Sequence, residues 1–168
     1  MRTRIISAFP GTGKSCFHKK HPDTTLDSDS SLFHWIENED GTRKKNPDFP
    51  NNYIEHIKNG IGKYEFIFVS THKIVRDALL DNCLFFYLLY PSVEYKDLYL
   101  QRYKERGSPE SFISSVESNW EEWLWQFTRC SVGCKNIEMS FSVLELELKY
   151  LIASEQGDVT VETNETQS

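Results

Sequence analysis

The stretch Ala8-Phe9-Pro10-Gly11-Thr12-Gly13-Lys14-Ser15 decides the fold of this chain of 168 residues. The mainly apolar residues 4–9 lead into it and are typical of a buried β-strand. Its proline and first glycine end that strand. A short helix is predicted over residues 14–21, because Pro22 disfavours helical geometry in the residue before it. The sequence therefore predicts a glycine-rich turn that joins a strand directly to a helix.

The residue types of this turn suit the binding of phosphate groups. They match the phosphate-binding loop pattern, with Ala8 in place of the first glycine. Glycines let backbone amides curl around phosphate oxygens, and the start of the helix adds partial positive charge. Lys14 is predicted to reach the β- and γ-phosphates of ATP, and the Ser15 hydroxyl to bind Mg2+. The predicted ATP-binding residues are Pro10, Gly11, Thr12, Gly13, Lys14, Ser15 and Cys16.

The rest of the chain alternates between strand-like and helix-like segments. Further strands are predicted over residues 24–27, 64–71, 84–90 and 135–139. Helices are predicted over residues 28–36, 52–58, 73–82, 93–106, 108–127 and 143–153, with a polar loop at 39–46. The helix over 73–82 is predicted to turn Ile74, Ala78 and Leu79 inward. This alternation predicts an α/β fold with about five parallel strands and helices on both faces, in which ligands bind beyond the carboxyl ends of the strands.

Composition limits the class of protein. With 39% hydrophobic and 14% aromatic residues the chain can fill one core, predicted over residues 1–154, followed by a polar, disordered tail at 155–168. The net charge of -6 argues against a dedicated nucleic-acid binder. The longest apolar run, residues 83–90, is far shorter than the ~20 residues that span a bilayer. We expect a cytoplasmic protein without a membrane partner, and its oligomeric state stays open.

Five segments of the chain form an ordered set that extends across residues 4–140. They are Ser7-Ala8-Phe9-Pro10-Gly11-Thr12-Gly13-Lys14-Ser15, Leu26-Asp27-Ser28-Asp29-Ser30-Ser31, Asn46-Pro47-Asp48-Phe49-Pro50-Asn51-Asn52-Tyr53, Val69-Ser70-Thr71-His72-Lys73 and Arg102-Tyr103-Lys104-Glu105-Arg106-Gly107. In this set the chain resembles the small P-loop nucleoside and nucleotide kinases, in particular the deoxynucleoside monophosphate kinase-like proteins often encoded by bacteriophages. The resemblance implies the three-layer sandwich of P-loop NTPases, with a short helical lid at about residues 100–118. It also implies transfer of the γ-phosphoryl group of ATP to a nucleoside monophosphate, with Mg2+ as cofactor.

Two aspartates, Asp27 and Asp29, follow the second predicted strand. One of them is predicted to hold Mg2+ together with Ser15, and the other to face the acceptor. The alternative is that Asp29 only caps a helix. The third predicted strand ends in Ser70-Thr71 and lacks the aspartate that usually ends it. This departure moves the metal role to Asp27 or Asp29.

The segments before and after the third strand are predicted to bind the acceptor. In similar kinases the acceptor-binding region lies between the second and third strands, where Phe49 or Tyr53 would stack on a base, although an ordinary helix start is the alternative. An acceptor that is already a phosphate dianion needs fixed cations, which favours Lys73 and Arg76. The predicted acceptor-binding residues are Asp29, Asn51, Asn52, His72, Lys73 and Arg76.

Arg102 and Arg106 lie four residues apart on one predicted helix. This arrangement resembles the lid of small P-loop kinases, where arginines neutralise the transferring phosphoryl group. The alternative is a solvated patch of charge. Catalytic roles are accordingly assigned to Lys14, Asp29, Arg102 and Arg106.

Two rival functions stay open from the sequence. A kinase that phosphorylates a hydroxyl group of a nucleoside, a sugar or a polynucleotide 5′ end would need a carboxylate base, for which Asp29 is the candidate. A nucleotide-binding module without transfer activity is the second rival, although it would have little use for paired lid arginines. The sequence leaves open which base and sugar an acceptor carries.

Overall fold

The computed structural model describes residues 2–129, 132–140 and 143–157. Its strands are β1 (Arg4–Ala8), β2 (Thr25–Asp27), β3 (Trp35–Glu37), β4 (Arg43–Lys45), β5 (Phe66–Val69), β6 (Phe86–Pro91) and β7 (Cys134–Met139). Its α-helices are α1 (Lys14–Lys20), α2 (Ser31–His34), α3 (Asn51–Gly60), α4 (Lys73–Asp81), α5 (Lys96–Glu105), α6 (Glu110–Thr128) and α7 (Leu144–Gln156). A 3-10 turn, Val93–Tyr95, precedes α5.

A five-stranded parallel sheet forms the centre of the structure. Its strands run in the order β2-β5-β1-β6-β7, so that β1 lies between β5 and β6. Ser7 on β1 pairs with Val69 on one side and Leu88 on the other. Because the strands are parallel, their carboxyl ends meet at one edge, where the glycine-rich turn, Asp27 and Ser70 all follow their strands.

Helices cover both faces of this sheet. Helices α3, α4, α5 and α6 pack on one face, where Ile57, Leu79, Tyr103 and Trp120 are almost completely buried. Helices α1 and α7 cover the other face through side chains such as Phe17 and Leu148. The prediction of an α/β fold with five parallel strands and helices on both faces is therefore confirmed.

A small hairpin replaces part of a predicted helix. Helix α2 is a single turn, and the chain then enters β3, which pairs antiparallel with β4. The helix predicted over residues 28–36 is therefore wrong in its second half, and the loop predicted at 39–46 contains a strand. The reason is the Asp40-Gly41 turn: Gly41 adopts a φ of 79°, and Asp40 Oδ1 accepts a hydrogen bond of 2.9 Å from the Thr42 amide. Aspartate followed by glycine between short strands is a hairpin signal.

Helix α4 faces the core through residues different from those expected. Ile74, predicted to point inward, is 46% exposed, whereas Val75 and the side chain of Arg76 are buried with Ala78 and Leu79. No helix in the described ranges has the length and apolar character needed to cross a membrane.

The end of helix α7 is tied to the first strand. Glu155, assigned above to the tail, lies in this helix, and the rest of the predicted tail from residue 158 lies outside the described residues. Its carboxylate accepts hydrogen bonds from Arg4 Nε at 2.9 Å and from the Tyr87 hydroxyl, and it pairs with Arg2 at 3.3 Å. Burial alone would raise the pKa of Glu155, but the bonds from Tyr87 and Arg4 outweigh it and hold the pKa below its ordinary value.

We expect Glu155→Gln to lower the free energy of unfolding at pH 7 by about 2 kcal/mol, because it removes charged hydrogen bonds from a partly buried network. A carboxyl group whose pKa is depressed by folding contributes stability above its unfolded pKa and loses it as the pH falls through the folded pKa. The difference between wild type and variant, measured by urea unfolding, should therefore vanish in acid. Glu145→Gln is the control on the same helix. Glu145 pairs with two exposed lysines, so its replacement should lower the free energy of unfolding much less. Equal effects of the two variants would contradict this assignment.

Candidate functional site

The glycine-rich turn adopts backbone angles that require its glycines. Gly11 and Gly13 have φ angles of 83° and 104°, in the left-handed region that side chains disfavour. The Thr12 amide donates to the Phe9 carbonyl at 3.3 Å, and helix α1 begins at Lys14. The first-turn amides of a helix have no partner within it, so those at residues 14–16 are left for a ligand at the start of α1. This arrangement suits the oxygens of a phosphate group.

Helix α5 packs directly on this turn. The Tyr103 hydroxyl donates a hydrogen bond of 2.7 Å to the Pro10 carbonyl, and Arg102 Nη1 lies 3.5 Å from the Gly11 carbonyl. A side chain at residue 11 would bring its Cβ to 2.8 Å from Cε1 of Tyr103. Gly11 is therefore needed both for its φ angle and for the close approach of this helix.

We expect Gly11→Ala to destabilise the fold by about 2–3 kcal/mol and to weaken nucleotide binding, because strain at positive φ adds to a clash with a buried ring. Gly62→Ala is a matched control: Gly62 has nearly the same φ, 82°, but a Cβ there meets nothing within 4 Å. Gly62→Ala should lower the free energy of unfolding by only about 1 kcal/mol. Thermal unfolding and nucleotide titration of both variants measure the difference, and equal losses would show that the contact with Tyr103 is unimportant.

Lys14 lies over the end of strand β1. Its Nζ donates hydrogen bonds to the carbonyl of Ala8 and, at 3.2 Å, to that of Phe9. Burial lowers the pKa of Lys14 to about 8, with Asp27 and Asp29 opposing this change and Arg106 adding to it. Since a pKa of about 8 leaves most of the amine protonated at pH 7, the turn holds a desolvated positive charge.

This pKa gives a pH dependence with a definite sign. Phosphates need the protonated amine, so kcat/KM for ATP should stay level below pH 8 and fall about tenfold per pH unit above it. Steady-state rates between pH 6 and 10, with unfolding monitored at each pH, measure this profile. A kcat/KM that stays flat to pH 9.5 would show that the charge of Lys14 is not used.

Polar side chains line much of a cavity of about 210 Å3 beside the turn, which we call the phosphate cavity. Lys14, Ser15, Asp27 and Asp29 line it, together with residues that follow β5. Two buried hydroxyls, Thr12 Oγ1 in the turn and Ser28 Oγ in the cavity wall, have no hydrogen-bond partner among the described residues. Mg2+ prefers oxygen ligands and keeps several waters, so it needs only one or two carboxylates. Ser15, Asp27 and Asp29 therefore fit the predicted metal role.

Asp29 also has the capping contact that was the alternative role for it. Its Oδ1 accepts a hydrogen bond of 2.9 Å from the Ser31 amide at the start of α2. The side chain is nevertheless exposed and lines the cavity, so the cap leaves carboxylate oxygen available to a ligand.

A larger cavity of about 510 Å3 adjoins the phosphate cavity. The two share Asp29, Ser70 and His72, so a molecule in the larger one would lie beside a molecule in the phosphate cavity. Residues of α2, β3 and the start of α4 line it: Asp29, Ser30, Ser31, His34, Trp35, Phe49, Ser70, His72, Lys73 and Ile74. Lys73, predicted to bind the acceptor, pairs here with Asp77 at 2.6 Å.

Arg76 lies in a third cavity, of about 260 Å3, between α4 and α6. Its side chain is only 8% exposed, Nε donates to the Thr71 carbonyl at 3.0 Å, and the guanidinium lies 5.0 Å from the centre of the Phe127 ring. Within the described part of the chain, no carboxylate lies within ion-pair distance of it. Buried arginines remain charged, so this one favours an anion in its cavity.

His72 lines all three cavities. Desolvation and the nearby His34 lower the pKa of His72 below its ordinary value, although Asp29 opposes them. His72 is therefore mainly neutral at pH 7 and offers a ligand hydrogen bonds instead of a fixed charge.

Two predicted acceptor residues, Asn51 and Asn52, lie apart from these cavities. Asn52 donates to the Phe33 carbonyl at 3.0 Å and Asn51 is exposed, so neither lines any of the three. Tyr53, considered for stacking, is fully buried and donates to the Ser28 carbonyl. Of this segment, only Phe49 reaches the larger cavity. Sequence reasoning missed Trp35 there, which the unrecognised hairpin positions.

Arg102 lies on α5 beside the turn, and Arg106 is the residue that directly follows this helix. The Arg102 guanidinium lies 5.1 Å from the Tyr99 ring centre and that of Arg106 lies 4.7 Å from Tyr103. Arg106 Nε also donates to Ser108 Oγ at 2.7 Å. Neither lines the phosphate cavity, although the charge of Arg106 contributes to the lowered pKa of Lys14.

These residues form a cleft at the carboxyl edge of a parallel α/β sheet, with a glycine-rich turn at its centre. No protein-family model matches the chain, and no curated protein matches it either. The function of the cleft is therefore inferred from its geometry and chemistry.

Proposed function

We propose that this chain is an ATP- and Mg2+-dependent phosphotransferase of the P-loop kinase type, which transfers the γ-phosphoryl group of ATP to a nucleoside monophosphate or deoxynucleoside monophosphate. The observation that carries the proposal is the opening of the phosphate cavity into two further cavities that meet at His72. An enzyme that only hydrolysed ATP would need no room for a second substrate. The order of strands around β1 and the turn that follows it support the same fold type.

The donor side of the site would bind the phosphates of ATP. The amides at the start of α1 and the charged amine of Lys14 would hold the β- and γ-phosphates. Ser15, with Asp27 or Asp29, would hold Mg2+, which neutralises charge on the phosphates when bound. Arg102 on α5 and Arg106 directly after it would add positive charge beside the glycine-rich turn.

The acceptor side carries positive charge suited to a phosphate-bearing acceptor. Arg76 is buried with no carboxylate within ion-pair distance in the described residues, and a guanidinium binds phosphate oxygens in a bidentate manner. A phosphate acceptor is anionic at neutral pH, so the reaction needs no general base. The contribution of the protein is then the alignment of two phosphates and the neutralisation of their charge.

ADP formation with a panel of acceptors tests the proposal. Nucleoside monophosphates, nucleosides, sugars and 5′-hydroxyl oligonucleotides are each supplied with ATP and Mg2+. We expect rapid ADP formation only with nucleotide acceptors, and a nucleoside diphosphate as the second product. Turnover with hydroxyl acceptors alone would overturn the acceptor class, and ATP binding without turnover on any acceptor would overturn the transferase proposal.

A second candidate function is phosphorylation of a hydroxyl group. It is favoured by one observation: Asp29 lines both the phosphate cavity and the larger cavity, where a base would have to lie. Asp29→Asn would then abolish turnover while ATP binding persists. Asp40→Asn is the matched control, because Asp40 accepts the same type of bond, 2.9 Å from the amide two residues on, away from the cleft.

A further inference from the structure

An exposed indole forms one wall of the larger cavity. Trp35 on strand β3 is 41% exposed and lines this cavity, whereas most large aromatic side chains among the described residues are buried or half-buried. The hairpin of β3 and β4 forms its own two-stranded sheet, separate from the main one. An isolated hairpin is marginally stable, so a large apolar side chain on it calls for a packing partner.

Neighbouring rings extend this wall towards the phosphate cavity. The ring centre of His34 lies 4.7 Å from that of Trp35 and 4.7 Å from that of Phe49. Asp29, Ser70 and His72 supply polar atoms where the two cavities join. The cavity therefore has an aromatic end and a polar end, and the polar end leads to the turn.

Hydrogen bonds hold this aromatic wall in place. The Asn46 amide donates to the His34 carbonyl at 2.8 Å, and the side chains of Asn46 and Asn52 both donate to the Phe33 carbonyl. The Phe33 ring packs in turn on Tyr53. Asn52 thus supports the wall from behind and does not itself face the ligand.

We propose that Trp35 is the platform on which the base of the acceptor stacks, and that the acceptor is recognised as a base-bearing phosphate instead of a sugar phosphate. This inference rests on the proposed function and names the residue that selects its substrate class. A flat ring in a partly exposed position can stack on any base, because the base is the flat aromatic part of a nucleotide. Lys45 lies directly opposite Trp35 in the hairpin register, which adds a cation beside the stack.

Calorimetric binding of nucleoside 5′-monophosphates, without ATP, tests this platform independently of turnover. Trp35→Ala should raise the Kd by about 10- to 100-fold, the usual loss when a stacking ring is removed. Trp35→Phe should recover most of the affinity because it retains a ring. Trp125→Ala is the control, since Trp125 is 54% exposed on α6 and does not line the larger cavity. Ribose 5-phosphate, which has no base, should bind wild type and Trp35→Ala equally.

The outcomes separate this inference from the proposed function. Equal nucleotide affinity of wild type and Trp35→Ala would overturn the platform while leaving phosphoryl transfer untouched. Equal affinity of wild type for ribose 5-phosphate and nucleotides would also overturn it. Nucleotide binding that depends on Trp35, in a protein that transfers no phosphoryl group to any acceptor, would support the role of Trp35 and overturn the proposed kinase activity.

Discussion

Replacing Lys14 with alanine should lower kcat/KM for ATP by at least about a thousand-fold. The amine of Lys14 is held over the end of β1, in a desolvated position where a charge acts strongly on phosphate oxygens. Its loss removes stabilisation of the charge that develops during transfer, and the neighbouring amides cannot replace a full positive charge. Steady-state rates with saturating acceptor measure the effect.

Lys19→Ala is the control for this substitution. Lys19 lies on the same helix α1 but is exposed, so its removal should change the rate by less than about twofold. Because Lys14 also donates to the carbonyls of Ala8 and Phe9, thermal unfolding must show that Lys14→Ala remains folded. A folded Lys14→Ala variant with near-normal turnover would show that the glycine-rich turn has no role in the reaction.

The parallel sheet could be predicted because its strands are short continuous apolar runs between turn signals. Residues 66–69 and 86–91 are buried throughout. Short continuous apolar runs of this kind are typical of strands that are covered on both faces of a parallel sheet. The turn at residues 10–13 and the start of α1 at Lys14 could be predicted because proline and glycine determine the backbone conformation of their own and adjacent residues. Its contact with Tyr103 could not be predicted, since Tyr103 lies 93 residues from Pro10 and only the packing of α5 brings them together.

The acceptor side was harder to predict for a physical reason. Strands β3 and β4 have three residues each, which is too short for the alternation of apolar and polar residues to appear. Polar side chains are equally ambiguous, because the same asparagine can bind a ligand or support the backbone. Asn52 supports Phe33, and only the tertiary structure distinguishes the two roles. The position of Arg76 in the core likewise depends on α6, which lies far away in sequence.

Arg76→Gln should lower kcat/KM for the nucleotide acceptor by about a hundred-fold or more and leave the KM for ATP unchanged. Truncating one partner of a buried charge pair has effects of this size, because the other charge is left without compensation. Here the partner would be the phosphate of the acceptor, since no carboxylate pairs with Arg76 within the described residues. Initial rates with each substrate varied in turn separate the two parameters.

Stability supplies the second half of this prediction. In the absence of acceptor, Arg76 is a buried charge without a counter-ion among the described residues, which costs free energy in the folded state. The Arg76→Gln substitution removes this uncompensated charge, and that gain should offset the lost contacts with Thr71 and Phe127. The free energy of unfolding should therefore fall by no more than about 1 kcal/mol. Arg129→Gln is the matched control, because Arg129 also stacks on a ring, 3.8 Å from the centre of Trp125, but is exposed and outside the cleft. A large loss of stability with unchanged acceptor kinetics would assign Arg76 to the fold and not to the acceptor. A loss of acceptor affinity with stability retained would identify it as the anion-binding group.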